Sequence, residues 1–218
     1  MTAPLTQPQR ERLDRLTELI AVLILSAAAL ISSYASFQAA LWDGEQAAHY
    51  TLAQQSRTEA STDANMAAQV RMLDVLIFSQ WLNASTSGDN HAERFYRDRF
   101  RPAFQKAFND WMTTSPATNS KAPRTPFEMK SYVLPIDDRT RQHTAQADRE
   151  FDEGQKANDI SDAFTQGTVI LALTLFLGGV VQAFNQLPIR IAVLGLAALC
   201  CILGIVRIIA LPALRLTF

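Results

Sequence analysis

Leu19-Ile20-Ala21-Val22-Leu23-Ile24-Leu25-Ser26-Ala27-Ala28-Ala29-Leu30-Ile31-Ser32-Ser33-Tyr34-Ala35-Ser36-Phe37-Gln38-Ala39-Ala40-Leu41-Trp42 is a run of 24 residues without a charge, bracketed by Glu18 and Asp43. As an α-helix it rises about 36 Å, more than the ~30 Å hydrocarbon thickness of a bilayer. The chain is therefore expected to be integral to a membrane. Arg10, Arg12 and Arg15 ahead of the run are compatible with a signal peptide. Glu11, Asp14 and Glu18 among them, and the length of the run, read instead as an uncleaved anchor.

Two further apolar runs follow. Ala163–Ile189 carries no charge between Asp162 and Arg190; Ile191–Leu211 is interrupted by Arg207 and ended by Pro212. Arg207 sits near a span end, where a long side chain can snorkel to the interface. Gly178-Gly179 would let a neighbouring helix approach closely. The expected fold is an all-α membrane protein: three transmembrane helices with a long-helix extramembrane bundle inserted between spans 1 and 2. Its expected parts are a polar leader (1–18), spans at 19–42, 163–187 and 190–211, an extramembrane helical domain (43–162) and a tail (212–218). Arg10, Arg12, Arg15 and Arg190 favour the leader side as cytoplasmic, which puts the inserted domain outside the cytoplasm.

The polar block Asp43–Thr165 has 123 residues with 14 Lys+Arg and 18 Asp+Glu. Its mild acidity argues against a nucleic-acid surface. Residues 45–84 hold no proline or glycine, so the first span is expected to run on as one long helix. Met66, Val70, Leu73, Ile77 and Trp81 step by three or four residues along it, a stripe suited to assembly. Ser85–Asn90 reads as a turn. A second helix follows from His91 to Met112, kinked or restarted at Pro102, with Tyr96, Phe100, Phe104, Phe108 and Trp111 on its core face. Ser115–Asp138, with four prolines, reads as an extended strap pinned by Phe127, Met129, Tyr132, Val133 and Leu134. A charged helix from about Arg139 leads into the second span. Cys200 and Cys201 lie in an apolar run and read as small hydrophobes.

The exit segment Tyr34–Ala47, Arg57-Thr58-Glu59-Ala60, Phe95-Tyr96-Arg97 with Arg99–Phe104, and the strap from Pro126-Phe127-Glu128-Met129 to Tyr132-Val133-Leu134-Pro135 together resemble a family of uncharacterised bacterial three-span membrane proteins. The resemblance covers nearly the whole chain and implies a bacterial inner-membrane location. It supplies no catalytic residues.

Candidate chemistry is sparse. Glu45 and His49 are one turn apart, but a zinc site needs three or four ligands. There is no His-Glu-x-x-His, phosphate-cradling loop or nucleophile elbow. No cofactor or metal is expected. Asp43 and Glu45 leave span 1 where Asp159 and Asp162 enter span 2, forming a candidate acidic collar. Ser32, Ser33, Ser36 and Gln38 give span 1 a candidate polar face. The expected function is a non-enzymatic assembly or interaction platform whose partners are the lipid bilayer and either a second copy or another protein. The alternative is a homo-oligomeric ion channel or transporter using the collar, as acidic rings do at cation-channel mouths.

Overall fold

A computed structural model of the protein describes residues 7–184 and 186–214, with side chains from Arg12 onward. The start of the expected leader (1–6), Asn185 and the end of the expected tail (215–218) lie outside the described residues, as do the side chains of Arg10 and Glu11.

Among the described residues the chain is helical throughout, without a strand. Helix α1 runs Gln7–Ser87, 81 residues without a break. Gly44 does not interrupt it and costs only helix propensity, about 1 kcal/mol. The helix stops at Gly88, whose φ of +74° suits glycine. Asp89 N–H donates to Ala84 C=O (3.0 Å) and Gly88 N–H to Ser85 C=O (3.4 Å), a Schellman-type cap. Asp89 then caps α2 (Asn90–Arg97), accepting from the backbone N–H groups of His91 and Ala92. Those backbone bonds, chiefly that of Ala92, hold its carboxyl below the ordinary aspartate range.

Helix α3 (Pro102–Met112) restarts at the proline, whose missing N–H costs nothing at a first helical position. A single 3-10 turn, Pro126–Glu128, interrupts the strap. Helix α4 is Pro135–Val181, followed by α5, Leu187–Ile209. Helix α4 begins four residues before Arg139, inside the expected strap, because Pro135 is itself tolerated in a first turn and Asp137 and Asp138 suit the helix N-terminus. It ends at Val181, although the uncharged run continues to Ile189. A turn forms there, with Ala183 and Phe184 N–H bonded to the carbonyls of Val180 and Val181. Helices α1, α4 and α5 each contain a stretch long and apolar enough to cross a membrane.

The chain divides into two compact units, Met1–Tyr50 with Phe151–Phe218, and Thr51–Glu150. In the first, α1 buries Ala21, Ala28 and Ala35 at seven-residue intervals. Small side chains there allow close helix packing. Ala28, Ala35 and Ala39 join Phe164 and Leu171 of α4 and Cys201 and Ile208 of α5 in one apolar core. Gly178 works as the Gly-Gly pair was expected to: a Cβ there would lie 2.6 Å from Leu25 Cδ2, while Gly179 faces open space. Buried Thr174 satisfies its hydroxyl on Ile170 C=O of its own helix.

In the second unit, Ala53, Ala60, Ala67, Asp74 and Trp81 are buried, again seven residues apart, the repeat of a coiled-coil seam. Ala67 meets Leu134 and Ile136 where α4 begins. Farther along, Phe78 and Trp81 enter an aromatic core with Phe100, Phe104, Phe108 and Trp111. Phe127, Met129 and Tyr132 of the strap pack against it, as their apolar character predicts. Phe78 is its hub, in ring contact with Trp81, Phe104, Phe108, Trp111 and Phe127 at 5.7–6.4 Å.

Candidate functional site

The expected assembly stripe divides on folding. On a helix each residue advances about 100°, so a four-three-four-four series drifts and here straddles the border between core and surface. Trp81 is in the core. Val70 packs at the edge of the Ala67 cluster and Ile77 against the aromatic core. Met66 (50% exposed) and Leu73 (58%) face outward. Beside them Met72 and Leu76 are exposed too, 62% and 56%. The outward series Met66, Gln69, Leu73, Leu76, Gln80 and Asn83 keeps alternating steps of three and four, every member exposed and none charged. Leu73, Leu76 and Gln80 also wall a shallow groove of about 610 Å³, opposite Tyr96 and Arg99.

Behind this face lies a buried carboxylate. Asp74, 1% exposed, accepts from Arg101 Nε (3.1 Å) and the Tyr132 hydroxyl (2.9 Å). Arg101 Nη2 also lies 3.0 Å from the same carboxylate and donates to Val70 C=O. One acid thus joins α1, the residue before α3 and the strap. Burial, reinforced by the bond to Asp74, pushes the Tyr132 hydroxyl well above its ordinary range. Nearby, Arg71 pairs with Asp137 at 2.6 Å and Arg139 with Asp63 at 3.2 Å, fixing α4 against α1 within this unit. His143 Nδ1 lies 3.0 Å from Glu59 and Nε2 3.8 Å from Asp63.

The four collar acids do not act alike. Asp43 accepts from Ser161 at 2.6 Å, and the same hydroxyl reaches Ala39 C=O. Asp162 ends a side-chain chain from Gln46 through Asn158. Asp43 therefore belongs to the α1–α4 contact, whereas Asp162 reaches α1 only through Asn158 of its own helix. All four acids are exposed, and Glu45, two residues beyond Asp43, lies about 200° round the helix from it.

The polar end of span 1 is divided as well. Gln38, 4% exposed, grips the chain after α5: its Nε2 donates to Leu214 C=O (3.1 Å) and its Oε1 accepts from Leu214 N–H (2.9 Å). Trp42 Nε1 donates to Pro212 C=O at 3.1 Å. Ser32, Ser33 and Ser36 lie on the other side of the helix, with Ser33 bonded back to Ala29 C=O. Arg207 is exposed and donates to Gln166 at 2.6 Å. At the opposite end of this unit, Arg190 donates to Asp14 at 3.0 Å.

The chain matches no protein-family model, no curated protein and no solved structure. Its site must be read from its own residues. No group of three or more His, Cys, Asp or Glu among the described residues is placed to hold a metal ion.

The Asp74 centre escapes a search for apolar periodicity, because an acid inside an apolar stretch reads as an interruption. The usable signal is Ala53, Ala60 and Ala67 at strict seven-residue spacing, which points directly to position 74.

Proposed function

We propose that the protein is a non-enzymatic membrane-anchored assembly protein of a bacterial inner membrane, and that it pairs with a second copy of itself. In this reading the Thr51–Glu150 unit stands outside the bilayer, and the exposed face of α1 is the contact. The observation that carries the reading is the uncharged outward series Met66, Gln69, Leu73, Leu76, Gln80 and Asn83. Its spacing is that of a coiled-coil seam. Two copies held by the same spans in one membrane meet in parallel about a two-fold axis, so each seam residue faces its own counterpart. Any charge there would face itself. Leu and Met supply the apolar contact, and Gln69 and Gln80 can hydrogen-bond across the axis.

The test is cysteine cross-linking in native membranes, with Cys200 and Cys201 replaced by alanine. Leu73→Cys is expected to form a disulfide-linked dimer. Ala68→Cys, about 140° round the helix, is expected not to. Met66→Glu with Leu73→Glu is expected to halve the protein mass in nanodiscs from twice 24.2 kDa. Equal cross-linking at both positions, or a wild-type monomer, would refute the reading.

A homo-oligomeric channel is the second reading, supported by the exposed Ser33 and Ser36 beside half-buried Ser32. It requires a ring of more than two copies and an ion flux that Ser36→Leu abolishes.

A further inference from the structure

The shallow groove beside the outward series of α1 lies within the Thr51–Glu150 unit. Leu73, Leu76, Ile77 and Gln80 line it from α1, and Tyr96, Arg99 and Arg101 line it from the chain that follows. We infer that this groove receives Met72 of a second copy of the chain, so that residues 96–101 take part in pairing alongside α1. The inference rests on the pairing proposed above and adds its register and its flank.

The groove's charged groups are already engaged. Asp74 accepts from Arg101 Nε and the Tyr132 hydroxyl. Arg99 donates to Phe95 C=O at 2.8 Å, and its guanidinium lies over the Phe95 ring, 3.4 Å from the ring centre. A polar ligand would have to exchange one of these bonds for its own. An apolar side chain covers Leu73, Leu76 and Ile77 without breaking any.

Symmetry supplies that side chain. Each helical residue advances about 100°, so Met72 and Ile77 lie about 140° apart, one on either side of Leu73. Ile77 is on the flank that carries the groove, and Met72, 62% exposed, projects from the opposite flank. Met66, Leu73 and Gln80 hold one core position of the seven-residue repeat, and Gln69, Leu76 and Asn83 hold the other. In a parallel pair about a two-fold axis, unlike flanks face each other, which sets Met72 of one copy against Ile77 of the other. The contact is made twice, once on each side of the axis. Methionine, flexible and polarisable, suits a shallow, irregular hollow.

The area of the seam requires such a flank. A fully exposed Leu or Met side chain offers about 100 Å² of apolar surface, so the exposed parts of Met66, Leu73 and Leu76 supply on the order of 160 Å² per copy. A standard interface covers about 800 Å² on each partner. The seam alone falls well short, and Met72 with the groove extends it on both sides.

The test uses the full chain in native membranes, with Cys200 and Cys201 replaced by alanine. Met72→Cys with Ile77→Cys in one chain is expected to give a disulfide-linked dimer, and either change alone is expected not to. Leu73→Cys, run beside it, reports pairing itself. A Leu73→Cys dimer without the Met72–Ile77 dimer overturns the inference and leaves the pairing standing; loss of both overturns both. A dimer from Met72→Cys alone overturns the inference as well. Ile77 packs against the aromatic core, so a second measurement uses exposed positions only. Met72→Lys sets a positive charge beside Arg99 and Arg101 of the other copy, and is expected to lower the yield of the Leu73→Cys dimer at least tenfold. Arg99→Glu is expected to restore that yield. An undiminished yield with Met72→Lys, or a loss that Arg99→Glu does not relieve, overturns the inference.

Discussion

Replacing Asp74 with alanine tests how far one buried carboxylate organises the Thr51–Glu150 unit. The substitution removes the acceptor of the Tyr132 hydroxyl and the counter-ion of Arg101. An orphaned hydroxyl costs about 1–3 kcal/mol. Breaking a fully buried ion pair costs about 3–5 kcal/mol. Arg101 is 37% exposed and keeps its bond to Val70 C=O, so its share falls to about 1–2 kcal/mol. The total is about 2–5 kcal/mol. In a unit of about 100 residues this lowers the melting temperature by roughly 10–25 °C. The assay is near-ultraviolet circular dichroism of the full chain in nanodiscs during heating, because the signal of the Phe78–Trp111 aromatic core reports this unit. Asp74→Asn retains an acceptor and is expected to lose roughly half as much. Asp74→Ala with Arg101→Met is expected to cost less than the sum of the two single changes. A shift below about 3 °C for Asp74→Ala would mean the centre contributes under 1 kcal/mol, and the reasoning would fail.

Gly154→Ala places a Cβ 2.5 Å from the Tyr50 ring, which stacks on Phe151 at 5.4 Å. Overpacking of about 1–3 kcal/mol is expected to outweigh the ~1 kcal/mol gained in helix propensity, giving a lower melting temperature. Gln38→Leu removes both bonds to Leu214. The segment after α5 is then expected to be cleaved faster by carboxypeptidase, with the spans intact by far-ultraviolet circular dichroism. Because the raised Tyr132 pKa favours the neutral hydroxyl in the folded state, its contribution is full below pH 10 and is lost as pH rises beyond it. Alkaline titration of stability is expected to fall past pH 10, and Tyr132→Phe to flatten that fall.

The spans and the long first helix were legible because charge leaves no ambiguity over 24 residues and because nothing between 45 and 84 can stop a helix. The core face of α3 was legible because Phe100, Phe104, Phe108 and Trp111 repeat at helical spacing. The end of α4 at Val181 was not, since an uncharged run specifies the solvent and not the backbone. The assembly stripe was only half readable. Apolar side chains mark both a core and an exposed contact face, and Met66 and Trp81 look alike in sequence while lying on opposite sides of that division. Gln38 could be seen to be polar but not to be spent, because its partner is a backbone group 176 residues away.

The α1–α4 contacts also carry a kinetic implication. Arg71 and Asp137 are 66 residues apart, Gln46 and Asn158 are 112 apart, and Ser161 and Ala39 are 122 apart. Closing a loop costs entropy that grows as about (3/2)RT ln n, so each contact is easier to form once a shorter one exists. Trp111 and Pro123 are only 12 residues apart. The aromatic centre can therefore form while the chain is short, the Arg71–Asp137 pair next, and the spans close last. During that interval the first span sits in the lipid with Ala28 and Ala35 still unpartnered. Slowing synthesis between residues 140 and 178 prolongs this half-built state, the one in which a membrane chaperone or a protease would meet the protein.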